Sequence, residues 1–123
     1  MAEHYTSFDR GGRRWLLQRL TAVFLIGTLT FHFFLLHFVN HAADVTFLQT
    51  QARMSEVSYF VTMVLFLIAA TFHGVNGVYN ALINQGIQGT QKRVVGGVLT
   101  LASVLLIAQG IRVALAMAGI AVI

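Results

Sequence analysis

The sequence predicts an all-α membrane protein with three transmembrane helices, its N-terminus inside and its C-terminus outside. Three observations predict it. Only 10% of the 123 residues are charged and 57% are apolar, whereas soluble domains carry roughly 25% charged residues. The eight Lys/Arg and four Asp/Glu fall in four places, separated by long apolar runs. Each run approaches the roughly 20 residues that a helix needs to cross a hydrocarbon core about 30 Å thick.

The charges mark the boundaries. Residues 1–19 hold Glu3, Asp9, Arg10, Arg13, Arg14 and Arg19 and read as a basic inner arm, with Gly11-Gly12 as a flexible joint. Trp15, Leu16 and Leu17 then enter the membrane interface, where Trp is favoured. Residues 20–39 form the first span. Residues 40–58 form the outer loop and contain Asp44, Arg53 and Glu56. Asp44 is expected to cap a short interfacial helix there, with Phe47, Leu48 and Met54 on its apolar side. Residues 59–83 form the second span, and 84–93 a short inner loop ending in Lys92-Arg93. Residues 94–123 form the third span and a C-terminal extension that continues past Arg112. The whole of 1–123 reads as one domain.

Orientation follows from Lys and Arg. With the N-terminus inside, Arg10, Arg13, Arg14, Arg19, Lys92 and Arg93 lie inside, and only Arg53 and Arg112 lie outside. Positive residues favour the cytoplasmic side. The first apolar run is too long for a signal-peptide core, and no small-residue cleavage site follows it. The mature chain is therefore expected to start at Met1.

Composition also excludes functions. Without Cys the chain cannot form disulfides or hold by itself a thiolate metal site or iron–sulfur cluster. The sequence pI is about 10.4, but the cations form no stripe beside stacking aromatics, so nucleic acid is not a partner. The spans contain no carboxylate, no nucleophile–His–acid set and no phosphate loop.

Apart from the phenols of Tyr59 and Tyr79, histidine is the only ionisable chemistry left inside the bilayer, and intramembrane ionisable residues are functional candidates by default. His32 and His37 lie in the first span and His73 in the second; His4 and His41 lie outside the apolar runs. His73 is followed by Gly74 and Gly77. At 3.6 residues per turn His73, Gly77, Asn80 and Asn84 share a face, bordered by Asn76. A flat macrocycle can lie on the side-chain-free patch while the imidazole reaches its iron. The alternative is a core histidine bonded to a neighbouring Asn or a backbone carbonyl. A three-His zinc site is geometrically conceivable but has no carboxylate support. Small residues at Ala70, Gly74, Gly77 and Ala81, and at Gly96, Gly97, Thr100 and Ser103, suit close helix packing in lipid.

Two segments carry a family resemblance. One is Trp15-Leu-Leu-Gln-Arg-Leu-Thr-Ala-Val, with His32 eleven residues after Thr21. The other is His73-Gly-Val-Asn-Gly77-Val-Tyr-Asn-Ala-Leu-Ile-Asn84. Together they resemble the cytochrome b membrane-anchor subunits of succinate dehydrogenase (succinate:quinone oxidoreductase, complex II), over nearly the whole chain. The resemblance implies that His73 is an axial ligand of a b haem, with Gly77 against it. In members with two haems it implies His32 as ligand of the outer one, with Ala22 where Gly is usual and His37 as the alternative ligand. It further implies ligands shared with a second anchor chain, and iron–sulfur and flavoprotein subunits on the inner side. Arg19 is assigned to the inner haem propionates and Arg112 to the outer. The quinone neighbourhood is assigned to Gln18, Thr21, Asn84 and Gln85. Asn84 and Gln85 stand where many members have Asp and Tyr, so quinone contacts from this chain are in question. Succinate itself is handled on another subunit. The same scaffold serves a fumarate reductase anchor oxidising quinol, and a cofactor-free three-helix adaptor is the reading from another class.

Overall fold

The computed structural model describes residues 10–120. Among them every regular element is helical. The first long helix, α1, spans Arg10–Phe34 and runs on as a π-helical turn, Leu35–Val39. A single 3₁₀ turn, Ala42–Asp44, leads to the short α2, Phe47–Ser55. The long helices α3, Val57–Asn84, and α4, Gly89–Met117, follow. Three helical stretches are long and apolar enough to cross a membrane: Gly12–Val39, Val57–Asn84 and Gly89–Met117. In hydrocarbon only a helix or a closed barrel satisfies its own backbone, and the chain has no Pro to interrupt one.

The helices begin and end differently from the sequence expectation. Gly11-Gly12 lies inside α1 rather than forming a joint. Arg is a good helix former, and the run Arg13-Arg14-Trp15-Leu16-Leu17 carries the helix back through the two glycines. The cap of α2 is Thr46, not Asp44. Gln49 N donates to Thr46 Oγ1 at 3.3 Å and Thr46 N donates to Gln49 Oε1 at 3.1 Å, a reciprocal capping box. Asp44 instead closes the preceding 3₁₀ turn. Met54 is buried, whereas Phe47 and Leu48 remain 66% and 72% exposed. The three therefore do not form one buried face.

The turn between α3 and α4 is set by Gly86. It adopts φ +93°, which only Gly takes without strain. Gly86 N donates to Ile83 O at 3.0 Å and Ile87 N to Leu82 O at 3.4 Å, the bond pair of a Schellman ending. Gly119, at φ +81°, ends α4 in the same way, with Ile120 N donating to Leu115 O at 3.0 Å.

Helix α3 is the central element and packs on both α1 and α4, while α2 lies across one end against α3 and α4. Gln18 meets Asn76 and Thr21 meets His73, so α1 and α3 are antiparallel. Tyr79 lies beside Gly96 and Leu67 beside Gly110, so α3 and α4 are antiparallel too. Arg13, Arg14, Arg19, Lys92 and Arg93 thus gather at one end, the basic end. The described acids, Asp44 and Glu56, lie at the other.

The bundle hides almost none of its apolar surface. Among the described apolar side chains only Met54 and Ala114 are buried. Apolar helices exposed all round need a non-aqueous surrounding. Span hydroxyls are satisfied locally: Thr62 donates to Ser58 O, Thr100 to Gly96 O and Ser103 to Leu99 O, all within 2.8 Å. This is the usual bonding of hydroxyls to the preceding turn. Among the α4 glycines the closest to α3 is Gly110, where an added methyl would fall within the Leu67 side chain. Gly97, by contrast, has open space beside it.

Candidate functional site

The site is built where α1 and α3 touch near the basic end. On α1 Gln18, Thr21, Ala22, Phe24, Leu25, Thr28 and His32 are half-buried, and their spacing puts them along one side of the helix. Gln18 and Thr21 are its polar members at the level of His73.

The Gln18 amide bridges two groups of α3. Its Nε2 donates to His73 O at 3.1 Å, and its Oε1 accepts from Asn76 Nδ2 at 2.8 Å. Asn76 is 9% exposed, so this bond satisfies a polar group that would otherwise be costly to bury. Thr21 Oγ1 lies 3.2 Å from His73 Nδ1. His73 is thus held at its backbone by Gln18 and at its ring by Thr21. A core histidine bonded to a neighbouring Asn is not what the chain forms: Asn76 binds Gln18, and the ring partner is a hydroxyl from the other helix.

A cleft of about 630 Å³ opens beside this contact, lined by Arg14, Trp15, Gln18, Arg19, Ala22, His73, Asn76 and Asn80. That volume is in the range of cofactor sites. The Arg19 guanidinium lies 5.2 Å from the centre of the Trp15 ring, a cation–π distance. The structure therefore brings together His73, Arg19, Gln18 and Thr21. Gly77 adjoins them: an added Cβ there would lie 3.6 Å from Gln18 Nε2. Nothing lies within 4 Å of such a Cβ at Gly74. A second cleft, of about 530 Å³ between α3 and α4, shares Arg14 and Asn76 but holds no histidine.

The other sequence candidates lie apart. Asn84 ends α3 and Gln85 caps it; neither lines the His73 cleft. His32 is half-buried. It stands eleven residues past Thr21, about 16 Å along the helix. That is too far for His73 and His32 to reach one metal ion together. His37 is exposed in the π-helical turn. Its Nδ1 donates to Phe33 O at 2.9 Å and its ring stacks on Phe33 with centroids 4.1 Å apart. Arg112 is exposed and its only side-chain partner among the described residues is Gln109 Oε1, at 3.5 Å. Among the described residues no three His, Cys, Asp or Glu side chains come together.

Sequence reasoning missed the Gln18–Asn76 bridge, and it read Arg14 only as part of the basic inner arm and Trp15 only as an interface residue. A signal was present. Gln18 and Thr21 are spaced i, i+3 in an apolar run, and Asn76 follows His73 at the same spacing, so each pair shares a face.

The described chain is an integral membrane protein of three apolar helices, with one buried-side histidine bracketed by polar side chains and a cofactor-sized cleft beside it. Residues 3–109 match the family model described as succinate dehydrogenase/fumarate reductase transmembrane subunit, and the chain belongs to that family. It is 28% identical over 97 residues to the succinate dehydrogenase hydrophobic membrane anchor subunit of Archaeoglobus fulgidus, covering 79% of this chain and 82% of that one. No solved structure gives a significant match. The role of the chain is that of a membrane anchor.

Proposed function

We propose that this chain is the b-haem-binding anchor of a succinate dehydrogenase, in which His73 is an axial ligand of the haem nearest the basic end. The observation that carries this reading is the bracketed His73 at the wall of the 630 Å³ cleft. The residues fit the group. An imidazole offers an iron ligand, Gly74 leaves open space beside it, and Arg14 and Arg19 line the cleft as cations for propionates. Charge-assisted bonds from Arg to carboxylates are strong and directional. A haem held there by His73 would supply one-electron transfer. The second ligand comes from a second anchor chain, because no other described histidine reaches the level of His73.

The complex takes electrons from succinate on a flavoprotein subunit, passes them through an iron–sulfur subunit and delivers them to quinone. We place the quinone at the basic end, near Gln18, Thr21, Asn84 and Gln85. With the basic end cytoplasmic, Arg10, Arg13, Arg14, Trp15, Lys92 and Arg93 serve the docking of the iron–sulfur subunit. A second, outer haem would use His32, with Arg112 on its propionate side. His37 is its competitor, because the Phe33 carbonyl already fixes the proton on His37 Nδ1 and leaves Nε2 as a lone-pair donor.

The test is a reduced-minus-oxidised spectrum of the purified complex. A b-type band that is lost or strongly disturbed in His73→Ala supports the reading. Unchanged haem content in that variant overturns the ligand assignment, and a wild-type complex without the band favours a cofactor-free adaptor. Quinone potential and physiological flux separate succinate oxidation from fumarate reduction.

A further inference from the structure

The Thr21 hydroxyl has three neighbours and one proton. Leu17 O lies at 2.7 Å, Gln18 O at 3.1 Å and His73 Nδ1 at 3.2 Å. Both carbonyls can only accept. The shortest contact, to Leu17 O, takes the hydroxyl proton, which leaves an oxygen lone pair facing the imidazole. A hydrogen bond there requires the proton on Nδ1. A neutral imidazole carries one N–H, so Nε2 keeps its lone pair. Among the described residues Nε2 has no hydrogen-bond partner.

We propose that Thr21 is the positioning residue of His73: its hydroxyl fixes the ring plane and the Nδ1–H tautomer, so that Nε2 is presented as a metal donor. This rests on the reading of His73 as a haem ligand and assigns Thr21 a role that acts through that ligand. The geometry suits it. Thr is stiff at χ1, and the bond to Leu17 O pins the hydroxyl to its own helix. The Gln18 amide holds the His73 backbone from the same face of α1, so ring and main chain are fixed together. The partner is also uncharged. A carboxylate in this place would raise the ligand's basicity, whereas a hydroxyl oxygen accepts from Nδ1–H without adding a charge beside the ring.

The experiment uses the whole purified complex with Thr21→Val and Thr21→Ser. Three readouts are taken: haem per complex, the haem midpoint potential and the low-spin EPR signal, which follows the orientation of the axial ring. Loss of an outer-shell partner weakens metal retention about 10- to 100-fold. Thr21→Val, nearly isosteric but without the acceptor, is expected to lose haem and to shift the EPR signal, and Thr21→Ser to restore both. Thr21→Ala carries the same expectation should the valine variant fail to assemble. Leu25→Ala is the control for general loosening, since Leu25 lies one turn on along the same face without a polar group. Wild-type haem content, potential and EPR signal in Thr21→Val overturn the proposal, as does an identical EPR shift in Leu25→Ala. Loss of the b-type band already in the wild-type complex removes the ligand reading and the proposal with it.

Discussion

Gln18 and Asn76 are joined at 2.8 Å across α1 and α3, and the other end of the same Gln18 amide holds the carbonyl of His73. One side chain thereby satisfies a buried amide and fixes the level of the histidine. Two interhelical bonds depend on it. In membranes such bonds average about 0.6 kcal/mol and reach about 1.7. Gln18→Leu is expected to weaken the α1–α3 contact by about 1–2 kcal/mol. The double variant with Asn76→Ala should cost less than the sum of the two singles, because they share a bond. Additive effects in detergent unfolding would show that the pair is not coupled.

Gly77 separates packing from cofactor binding. A methyl there would lie 3.6 Å from Gln18 Nε2, which is ordinary contact. Gly→Ala inside a helix also gains about 0.5–1 kcal/mol of propensity. The haem-free bundle should therefore tolerate Gly77→Ala or become slightly more stable. The complex should nonetheless lose haem if the macrocycle lies on that face. Full haem occupancy in Gly77→Ala would place the ring elsewhere.

Gly110 behaves in the opposite way. Its missing side chain is what admits Leu67. Gly110→Val overpacks the α3–α4 contact and should cost about 1–3 kcal/mol. Leu67→Ala should relieve much of that in the double variant. A valine as stable as wild type would show that Leu67 escapes by changing rotamer.

The two histidines of the first helix make distinct predictions. If a second haem is present, His32→Ala should remove it and leave the His73 haem intact, while His37→Ala should change neither. The reverse pattern would transfer the outer site to the π-helical turn. Selective loss is read from the two components of a potentiometric titration.

Orientation is open to a direct test because the chain has no cysteine. Ala43→Cys lies in the loop before α2 and Gln88→Cys in the α3–α4 turn. With the basic end cytoplasmic, an impermeant maleimide should label Ala43→Cys in intact cells and leave Gln88→Cys unlabelled until the cells are opened. Labelling of Gln88→Cys in intact cells would invert the topology.

The fold was legible because its causes are local. Charge-free runs of helix length and the absence of Pro require helices in hydrocarbon, whatever packs against them. Helix ends were harder to read. Asp44 and Thr46 are both good capping types, and only the reciprocal bond with Gln49 selects Thr46. From Arg10 on, the segment read as jointed is helix, because favourable neighbours outweigh the two glycines. His73 stood out as an ionisable side chain in an apolar span beside glycine. Its partners did not, because Gln18 and Thr21 are 55 and 52 residues away in the chain.

The sequence by itself determined that three apolar helices form, where their charged boundaries fall, and that the charge-free runs between them hold no carboxylate and no permanent cation, leaving histidine and tyrosine as their ionisable side chains. These follow from composition and periodicity, which need no partner. The tertiary structure decided the register. Antiparallel contact of α1 with α3 puts Thr21 and Gln18 at the level of His73 and leaves His32 about 16 Å further along. That choice depends on which polar groups satisfy one another across an interface in which unpaired polar atoms are costly. Such pairings are properties of two helices together, and neither helix records them alone.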